Sequence, residues 1–193
     1  MSWTDELNRA AGAHGVPVAR ARLLVGFVER FVRWNQKINL SAARTPDEVA
    51  RQVIDCLALL PFVEDGKNVI DVGSGGGLPG AILALVRDVR VTSLEPVNKK
   101  AAFQSSIARE LGAPLDVRAE RADPQVHRDF DIAVSRATFD LLEWLELGRQ
   151  LIRPGGLVLG MEGREIHSLP SGAERHPYEH GDRTRAVITY RPS

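Results

Sequence analysis

Five glycines fall within the segment VIDVGSGGGLPG at residues 69–80, directly after a run of apolar and β-branched residues. Glycine is unfavourable in backbone entropy and adds no packing. A chain that places so many glycines after a buried strand needs dihedral angles that only glycine adopts, or lets a ligand approach the backbone closely. The segment therefore predicts a strand, a tight turn and a helix at the edge of a parallel sheet where ligands bind.

The rest of the chain extends this pattern, because strand-like and helix-like segments alternate from residue 68 onward. Such alternation indicates βαβ units, and hence an α/β fold with a mostly parallel, doubly wound, Rossmann-like sheet. The predicted strands are 68–73, 89–95, 114–119, 130–137, 157–162 and 183–191, and the predicted helices are 79–86, 98–112 and 141–152.

The first 62 residues show helix-like patterns in place of this alternation and predict an N-terminal helical cap. Residues 20–34 are amphipathic at helical spacing. TPDE at 45–48 predicts a helix start, with Thr45 as N-cap, Pro46 in the first turn and Glu48 completing a capping box. We expect a cap at 1–62 and a Rossmann-like core at 63–193, joined as one compact unit. The apolar face of the first cap helix consists of Leu24, Phe27, Val28, Phe31 and Trp34.

Composition excludes several classes of protein. The lone Cys56 rules out an internal disulfide and a cysteine-rich zinc site. No apolar run reaches the roughly 18 residues that span a bilayer, and the first residues lack the apolar segment of a secretory signal. We therefore expect a cytoplasmic protein without a membrane partner.

Charge limits the kind of nucleic-acid binding that the chain can support. The 25 basic and 25 acidic residues cancel, which counts against broad, non-specific binding. A local basic patch is compatible with this neutrality, because screening confines its effect to about 10 Å.

Two cofactor hypotheses compete for the glycine-rich segment. GGGLPG at 75–80 matches the dinucleotide pattern G-x-G-x-x-G. DVGSGGG at 71–77 matches D-x-G-x-G-x-G, which is typical of Rossmann-like S-adenosylmethionine (SAM) methyltransferases. A pyrophosphate needs N–H donors and no carboxylate, whereas SAM carries an ammonium and a sulfonium that Asp71 would favour. Glu95 at the end of the second strand suits ribose hydroxyls in either fold. RPGG at 153–156 is common before the fifth strand of SAM methyltransferases and favours the second hypothesis.

Four segments in order resemble the RsmG (GidB) family of bacterial 16S ribosomal RNA guanine-N7 methyltransferases. They are RWNQKINLSA at 33–42, RQVIDCL at 51–57, VIDVGSGGGLPG at 69–80 and SRA at 135–137. Two departures fall in the second segment, where Gln52 and Cys56 replace a histidine and a serine of the family. Residues 163–180 are also short for the family. The resemblance implies a class I SAM-dependent methyltransferase that acts at N7 of the guanosine numbered 527 in 16S ribosomal RNA.

The resemblance also implies where the cofactor binds. The glycine loop would contact SAM, Glu95 would hold its ribose, and residues after the third strand would flank its adenine. The cofactor-binding set is Asp71, Gly73, Ser74, Gly75, Gly77, Leu78, Glu95, Ala122, Asp123 and Arg136.

Methylation at guanine N7 makes few chemical demands, because the N7 lone pair is free and needs no deprotonation. Catalysis would then consist mainly of positioning, for which the candidates are Arg136, Asn39 and Lys100. Arg136 could instead brace the cap through Asp55, and Asn39 could instead order the turn after its helix. Cys56 is expected to pack in the core. The RNA-binding candidates are Arg33, Lys37, Arg51, Lys99, Arg121 and Arg183.

No metal site is expected, and His167, His176 and His180 are interpreted as surface residues of a loop. The expected partner is 16S ribosomal RNA or the small ribosomal subunit, bound by a monomer. Two alternatives stay open. The chain could be a divergent SAM methyltransferase acting on another RNA or a small molecule, or an NAD(P)-binding Rossmann protein.

Overall fold

A computed structural model describes residues 2–136, 138–163 and 166–192 of the chain. Ala137, the last residue of the SRA segment, lies outside the described residues. The helices are α1 (Trp3–Ala13), α2 (Val18–Ile38), α3 (Pro46–Leu57), α4 (Gly80–Val86), α5 (Asn98–Leu111) and α6 (Leu141–Leu151), with a 3-10 turn at Leu60–Phe62. The strands are β1 (Asn68–Val72), β2 (Arg90–Leu94), β3 (Leu115–Arg118), β4 (Phe130–Ser135), β5 (Ile152–Glu162), β6 (Ala173–His180) and β7 (Arg183–Tyr190).

All seven strands form one sheet in the order β3-β2-β1-β4-β5-β7-β6. The first five strands are parallel, and β7 runs antiparallel to both β5 and β6. The prediction of a mostly parallel, Rossmann-like sheet is confirmed. Since β1 lies between β2 and β4, the carboxyl ends of these three strands meet where the strand order reverses, which is where open α/β sheets bind ligands.

Successive side chains of each strand point to opposite faces of the sheet. Val69 of β1 joins a core that contains α4, α5 and the cap, whereas its neighbour Ile70 joins a second core under α6. The cap residues Phe27 and Phe31 pack with Phe103 of α5 at centroid distances of 6.0 and 5.5 Å. The cap therefore shares one continuous core with a face of the sheet.

The helix signals of the cap are confirmed in detail. The Thr45 hydroxyl accepts a hydrogen bond from Glu48 N at 3.3 Å, and the Glu48 carboxylate accepts one from Thr45 N at 3.0 Å. This reciprocal capping box starts α3, with Pro46 in its first turn. The predicted helix at 20–34 extends to Ile38, where Asn39 ends it with a left-handed φ of 51°.

One connection agrees with the sequence-based prediction, which placed no helix between the third and fourth strands, and another differs from it. Residues 119–129 join β3 to β4 through a single turn and without a helix. Residues 173–180 form β6, so His176 and His180 lie on a strand and not in a loop. This strand is hard to recognise because it pairs with β7 alone and has no fully buried residue, and an edge strand tolerates Pro177 and charged side chains.

Within the described ranges, no helix is long and apolar enough to cross a membrane.

Candidate active site

Hydrogen bonds to backbone carbonyls join the carboxyl ends of four strands. Gly73 N donates to Leu94 O at 2.9 Å, which ties the loop after β1 to the end of β2. Glu95 N donates to Arg118 O at 3.0 Å, which ties β2 to β3. The Ser135 hydroxyl donates to Val72 O at 2.8 Å from the end of β4. The predicted site residues of the first four strands are therefore neighbours along one edge.

The glycine loop is held above this edge by a buried acid. Gly75 has a φ of +56°, and a Cβ built on it would have no heavy atom within 4 Å. Its N–H donates to Glu95 Oε2 at 2.8 Å, and Val97 N donates to Glu95 Oε1 at 2.8 Å. Glu95 thus orders the backbone on both sides of the site. The loop needs glycine at 75 for its conformation and leaves open space where a side chain would stand.

A buried polar cluster beneath the loop was missed from the sequence. Gln104 Nε2 on α5 donates to Ser74 Oγ at 2.7 Å and to Gly75 O at 2.9 Å. Ser93 Oγ of β2 donates to Gln104 Oε1 at 2.6 Å. The side chain of Ser74 is therefore used inside the protein, which leaves its backbone as the part able to face a cofactor. Gln104 sits in an ordinary amphipathic helix, so only its complete burial reveals its role.

Asp71 is fully buried at the end of β1 and caps the helix that follows the loop. Its Oδ2 accepts a hydrogen bond from Gly80 N, the first residue of α4, at 2.7 Å. A Cβ on Gly80 would lie 2.5 Å from the same oxygen, which accounts for the last glycine of the segment. Asp71 Oδ1 has no hydrogen-bond partner among the described residues. Burial, with a smaller contribution from Glu95, raises the pKa of Asp71 to about 7 despite the Gly80 hydrogen bond and the Arg136 charge.

This arrangement discriminates between the two cofactor hypotheses. A dinucleotide places its pyrophosphate on free N–H groups at the start of the helix. Here a carboxylate already occupies Gly80 N, and a phosphate beside Asp71 would be repelled. A cationic group is favoured instead, because Asp71 Oδ1 lacks a partner among the described residues and an adjacent positive charge would favour its ionised form. The residues present therefore fit SAM better than NAD.

Arg136 at the end of β4 contacts the cap. Its Nη1 lies 3.4 Å from Asp55 Oδ2, and its Nη2 donates to Gln52 Oε1 at 3.2 Å. Asp55 is buried and also accepts hydrogen bonds from Arg185 Nη1 and Tyr178 OH, both at 2.8 Å. One carboxylate of the cap thus collects donors from three places in the sheet domain. Sequence reasoning identified Arg136 and Asp55 but missed Arg185 and Tyr178.

A cavity of about 360 Å³ opens beside Arg136, between α6 and the ends of β4 and β5. Its volume falls in the range of small-molecule sites. Phe139 and Trp144 stack along it at a centroid distance of 5.9 Å. The lining residues are Asp55, Ser135, Arg136, Phe139, Asp140, Leu141, Trp144, Gly160, Met161, Glu162, Gly163, His167 and Arg185.

The acids of this cavity are held in place by partners. Glu162 Oε2 accepts from Arg175 Nε at 2.6 Å, and its Oε1 accepts from His167 N at 3.0 Å. The Arg175 hydrogen bond keeps the pKa of Glu162 below its usual value. His167 Nε2 lies 3.2 Å from Asp140 Oδ2. His167, taken from the sequence as a surface residue of a loop, therefore joins two carboxylates at the cavity wall.

The other catalytic candidates are Asn39 after α2 and Lys100 on α5. Asn39 is exposed, and its Oδ1 accepts hydrogen bonds from Arg44 Nη1 and Nη2, both at 3.2 Å, so the side chain orders the turn after α2. Lys100 is half-buried in the first turn of α5. Burial raises the pKa of the Cys56 thiol to about 12, which fits a packing residue and not a nucleophile.

The RNA-binding candidates are all exposed and are spread over several elements. Two follow strands at the edge of the site, and two are one turn apart on α2. The six residues are Arg33 and Lys37 on α2, Arg51 on α3, Lys99 on α5, Arg121 after β3 and Arg183 at the start of β7. No group of three or more His, Cys, Asp or Glu side chains that could hold a metal ion occurs in the part of the chain that the structure describes.

Comparison with known proteins gives a consistent result. The family model described as rRNA small subunit methyltransferase G (GidB) matches residues 20–181. A relative from Anaeromyxobacter dehalogenans (strain 2CP-C) named Ribosomal RNA small subunit methyltransferase G is 42% identical over 173 residues, covering 86% of this chain and 80% of its own. A relative of the same name from Azoarcus sp. (strain BH72) is 40% identical over 167 residues, covering 81% and 78%.

Solved structures share the fold at low sequence identity. MtNAS in complex with MTA and tNA has a TM-score of 0.56 at 16% identity and covers 86% of this chain and 71% of its own. The 16S rRNA N2 G1207 methyltransferase RsmC of Thermus thermophilus, in complex with AdoMet and guanosine, has a TM-score of 0.54 at 16% identity, with 74% and 43% covered. These likenesses support the Rossmann-like class I fold.

Proposed function

The chain belongs to the rRNA small subunit methyltransferase G family, and from that premise we propose that it methylates N7 of a guanosine in 16S ribosomal RNA with SAM as the methyl donor. The family membership makes it a SAM-dependent rRNA methyltransferase. The N7 position and the guanosine numbered 527 rest on the motifs that it shares with the family. The observation that carries the proposal is the buried Asp71 carboxylate at the start of α4, beneath a glycine loop that leaves open space at Gly75.

SAM would lie over the ends of β1 and β2. The backbone of the loop at Gly73, Gly75, Gly77 and Leu78 would contact it, and Glu95 would accept from its ribose hydroxyls. The carboxylate of Asp71 would stabilise its positive charge, and Ala122 and Asp123 would flank its adenine. When bound, SAM supplies a methyl group activated by the adjacent sulfonium. These assignments are supported by the open space at Gly75 and by the ties that join Glu95 to the loop.

The target guanine would enter the cavity beside Arg136. Its N7 lone pair would take up the methyl carbon as the carbon–sulfur bond of SAM breaks and S-adenosylhomocysteine leaves, so no side chain would have to remove a proton. The purine becomes cationic as the bond forms, and pre-oriented carboxylates stabilise that charge without reorganisation. Asp140 and Glu162 would supply such carboxylates, each fixed by hydrogen bonds. The main contribution of the protein is therefore positioning, with Arg136 between the cofactor loop and the acceptor cavity.

The RNA would contact the cations that surround this edge, all of which are exposed except the half-buried Lys100. Lys99, Lys100 and Arg121 follow β2 and β3, and Arg33 and Lys37 extend the basic surface onto the cap. We propose a cap at 1–62 that carries part of the RNA surface and a catalytic core at 63–193, acting as one compact unit in a cytoplasmic monomer. The shared hydrophobic core of cap and sheet supports a fixed relation between the two parts.

The test is methylation of 16S ribosomal RNA transcripts, with 7-deazaguanosine replacing guanosine at the target position. The wild-type protein should methylate the guanosine transcript and leave the 7-deaza transcript unmodified, because carbon replaces the nucleophilic N7. Equal methylation of both transcripts would exclude N7. Failure on any ribosomal transcript and on small subunits, together with SAM binding, would point to another RNA or a small molecule. Calorimetric titration with NADH provides the control for the dinucleotide hypothesis.

A further inference from the structure

The loop at residues 119–129 carries the two residues proposed to flank adenine, and it is closed around one buried imidazole. It leaves the carboxyl end of β3 and returns to the start of β4 without a helix. His127 is buried, whereas its neighbours Val126, Arg128 and Asp129 are exposed. A buried imidazole in an exposed loop must satisfy both ring nitrogens within the loop, since a buried polar group without a partner is costly.

Both nitrogens of His127 are used, and they have opposite roles. Asp123 N donates to Nδ1 at 3.1 Å, so Nδ1 is the unprotonated acceptor. Nε2 lies 2.9 Å from Glu120 Oε1, so it carries the proton and donates to the carboxylate. The ring therefore links Glu120, on the upstream side of the turn, to Asp123, the residue proposed to face the cofactor.

The backbone of the turn supports the same position. His127 N donates to Asp123 O at 2.7 Å, and Val126 N donates to the same oxygen at 2.9 Å. Gln125 N donates to Asp123 Oδ1 at 2.9 Å. Asp123 is thus the residue on which the contacts of the turn converge, and the imidazole of His127 is the buried side chain that fixes its N–H.

We propose that His127 is a positioning residue for the adenine of SAM, acting through Asp123 and Ala122. This inference rests on the proposed function, because it takes the loop after β3 as the adenine contact. Without the Nδ1 acceptor, Asp123 N would lack its partner and the turn would sample other conformations, so SAM would have to order the loop on binding. The effect should appear in SAM affinity and not in the chemical step.

The experiment compares three substitutions that separate the two nitrogens. His127→Asn keeps an acceptor near the position of Nδ1, His127→Gln keeps a polar group near Nε2, and His127→Leu keeps neither. Calorimetry with SAM and with S-adenosylhomocysteine should give a Kd raised about tenfold in His127→Leu and His127→Gln, the effect of losing roughly one buried hydrogen bond. His127→Asn should stay within about threefold of wild type, since its acceptor is preserved.

Two further measurements distinguish positioning from general loss of stability. The KM for SAM should follow the Kd, while kcat at saturating SAM stays near wild type. Glu120→Gln serves as the control, because it neutralises the partner of Nε2 and leaves the Nδ1 contact intact, and its Kd should not change. Urea midpoints establish that each variant is folded, and if His127→Leu does not fold, the Asn and Gln variants decide the question.

A His127→Leu variant that binds SAM like the wild type would overturn the positioning role, and so would an equal loss of affinity in the Asn and Gln variants. A wild-type protein that binds no SAM would instead refute the proposed function.

Discussion

Asp55 of the cap and Arg136 of the sheet domain form an ion pair at the wall of the cavity between α6 and the ends of β4 and β5, with Oδ2 and Nη1 separated by 3.4 Å. Asp55 is almost completely buried, whereas the Arg136 side chain keeps 19% of its surface exposed. Arg185 Nη1 approaches the same oxygen more closely, at 2.8 Å. Arg136 is therefore one of two arginine partners of Asp55 in the described part of the chain, and its exposed part can contact a ligand in the cavity.

This geometry predicts that Arg136→Ala lowers the methylation rate more than it lowers stability. Asp55 keeps Arg185, so the urea midpoint should fall by an amount that corresponds to about 1–2 kcal/mol, less than for a buried carboxylate left without any partner. The single-turnover methylation rate should fall more than tenfold, because the arginine also lines the cavity. Arg149→Ala, which removes an exposed arginine of α6, is the control for both measurements. A rate within tenfold of wild type would remove Arg136 from the active site.

Tyr178→Phe tests the same carboxylate from the opposite side. The Tyr178 hydroxyl donates to Asp55 Oδ1 at 2.8 Å. Burial and the Asp55 charge raise the pKa of Tyr178, so the hydroxyl keeps its proton. Loss of this hydroxyl should lower the free energy of unfolding by about 1 kcal/mol, as for a single buried hydrogen bond. Tyr190→Phe on β7 is the matched control. Equal urea midpoints for the two variants would show that the Tyr178 contact does not support the cap.

The partners of Asp55 illustrate what the sequence could predict. Arg136 follows an apolar strand, so its place at the carboxyl edge of the sheet was readable from periodicity. Tyr178 and Arg185 lie on β6 and β7, which reach Asp55 only because β7 inserts antiparallel beside β5. No local pattern encodes that pairing, and the sequence of β6, AERHPYEH, lacks the alternation of apolar and polar residues that marks a half-buried strand.

In the glycine loop, too, some features could be predicted from the sequence and others depend on tertiary packing. Its position after β1 and its need for positive φ were predictable, because dense glycine directly after a buried strand indicates a tight turn that a ligand can approach. The use of Ser74 inside the protein was not predictable, since it depends on Gln104 and Ser93 meeting beneath the loop. Buried polar clusters whose members are far apart in the sequence form only through tertiary packing. A serine or glutamine considered alone gives no signal that it belongs to one.

Gly75→Ala tests the loop as a cofactor surface. The added methyl group would enter the open space above the loop, where SAM is proposed to lie, so SAM affinity should fall at least tenfold. Valine is a poorer choice because a β-branched residue is strongly disfavoured at positive φ. Gly15→Ala is a matched control, since Gly15 also has a positive φ and open space around its Cβ position. Both variants should lose similar stability, about 1 kcal/mol, and equal SAM affinities would refute the assignment of the loop.

RNA affinity should depend on salt with a modest slope, because the neutral chain can offer only a local patch. Arg121→Ala should lower the slope of log affinity against log salt by about one, the contribution of one phosphate contact. SAM affinity should remain near wild type. Arg90→Ala is the control, because Arg90 is exposed at the start of β2, on the opposite edge of the sheet. Identical slopes for the two variants would place the RNA elsewhere.

The raised pKa of Asp71 predicts that SAM affinity depends on pH. Burial raises its pKa from 3.8 to about 7 in the folded protein. The stability associated with the neutral acid is therefore fully present below pH about 4 and is lost as the pH rises to about 7. A cationic ligand favours the ionised form, so SAM binding should release a proton below pH about 7.

The wild-type Kd for SAM should consequently fall as the pH rises from about 5 to about 7, by up to tenfold per unit, and then level off. Calorimetry in two buffers of different ionisation enthalpy measures the released proton directly. Asp71→Asn keeps an acceptor for Gly80 N but cannot ionise, so it should bind SAM more weakly at pH about 8 and without proton release. Proton release that persists in Asp71→Asn would assign the titration to another group, and a wild-type Kd that does not change with pH would mean that SAM leaves the Asp71 charge unaltered.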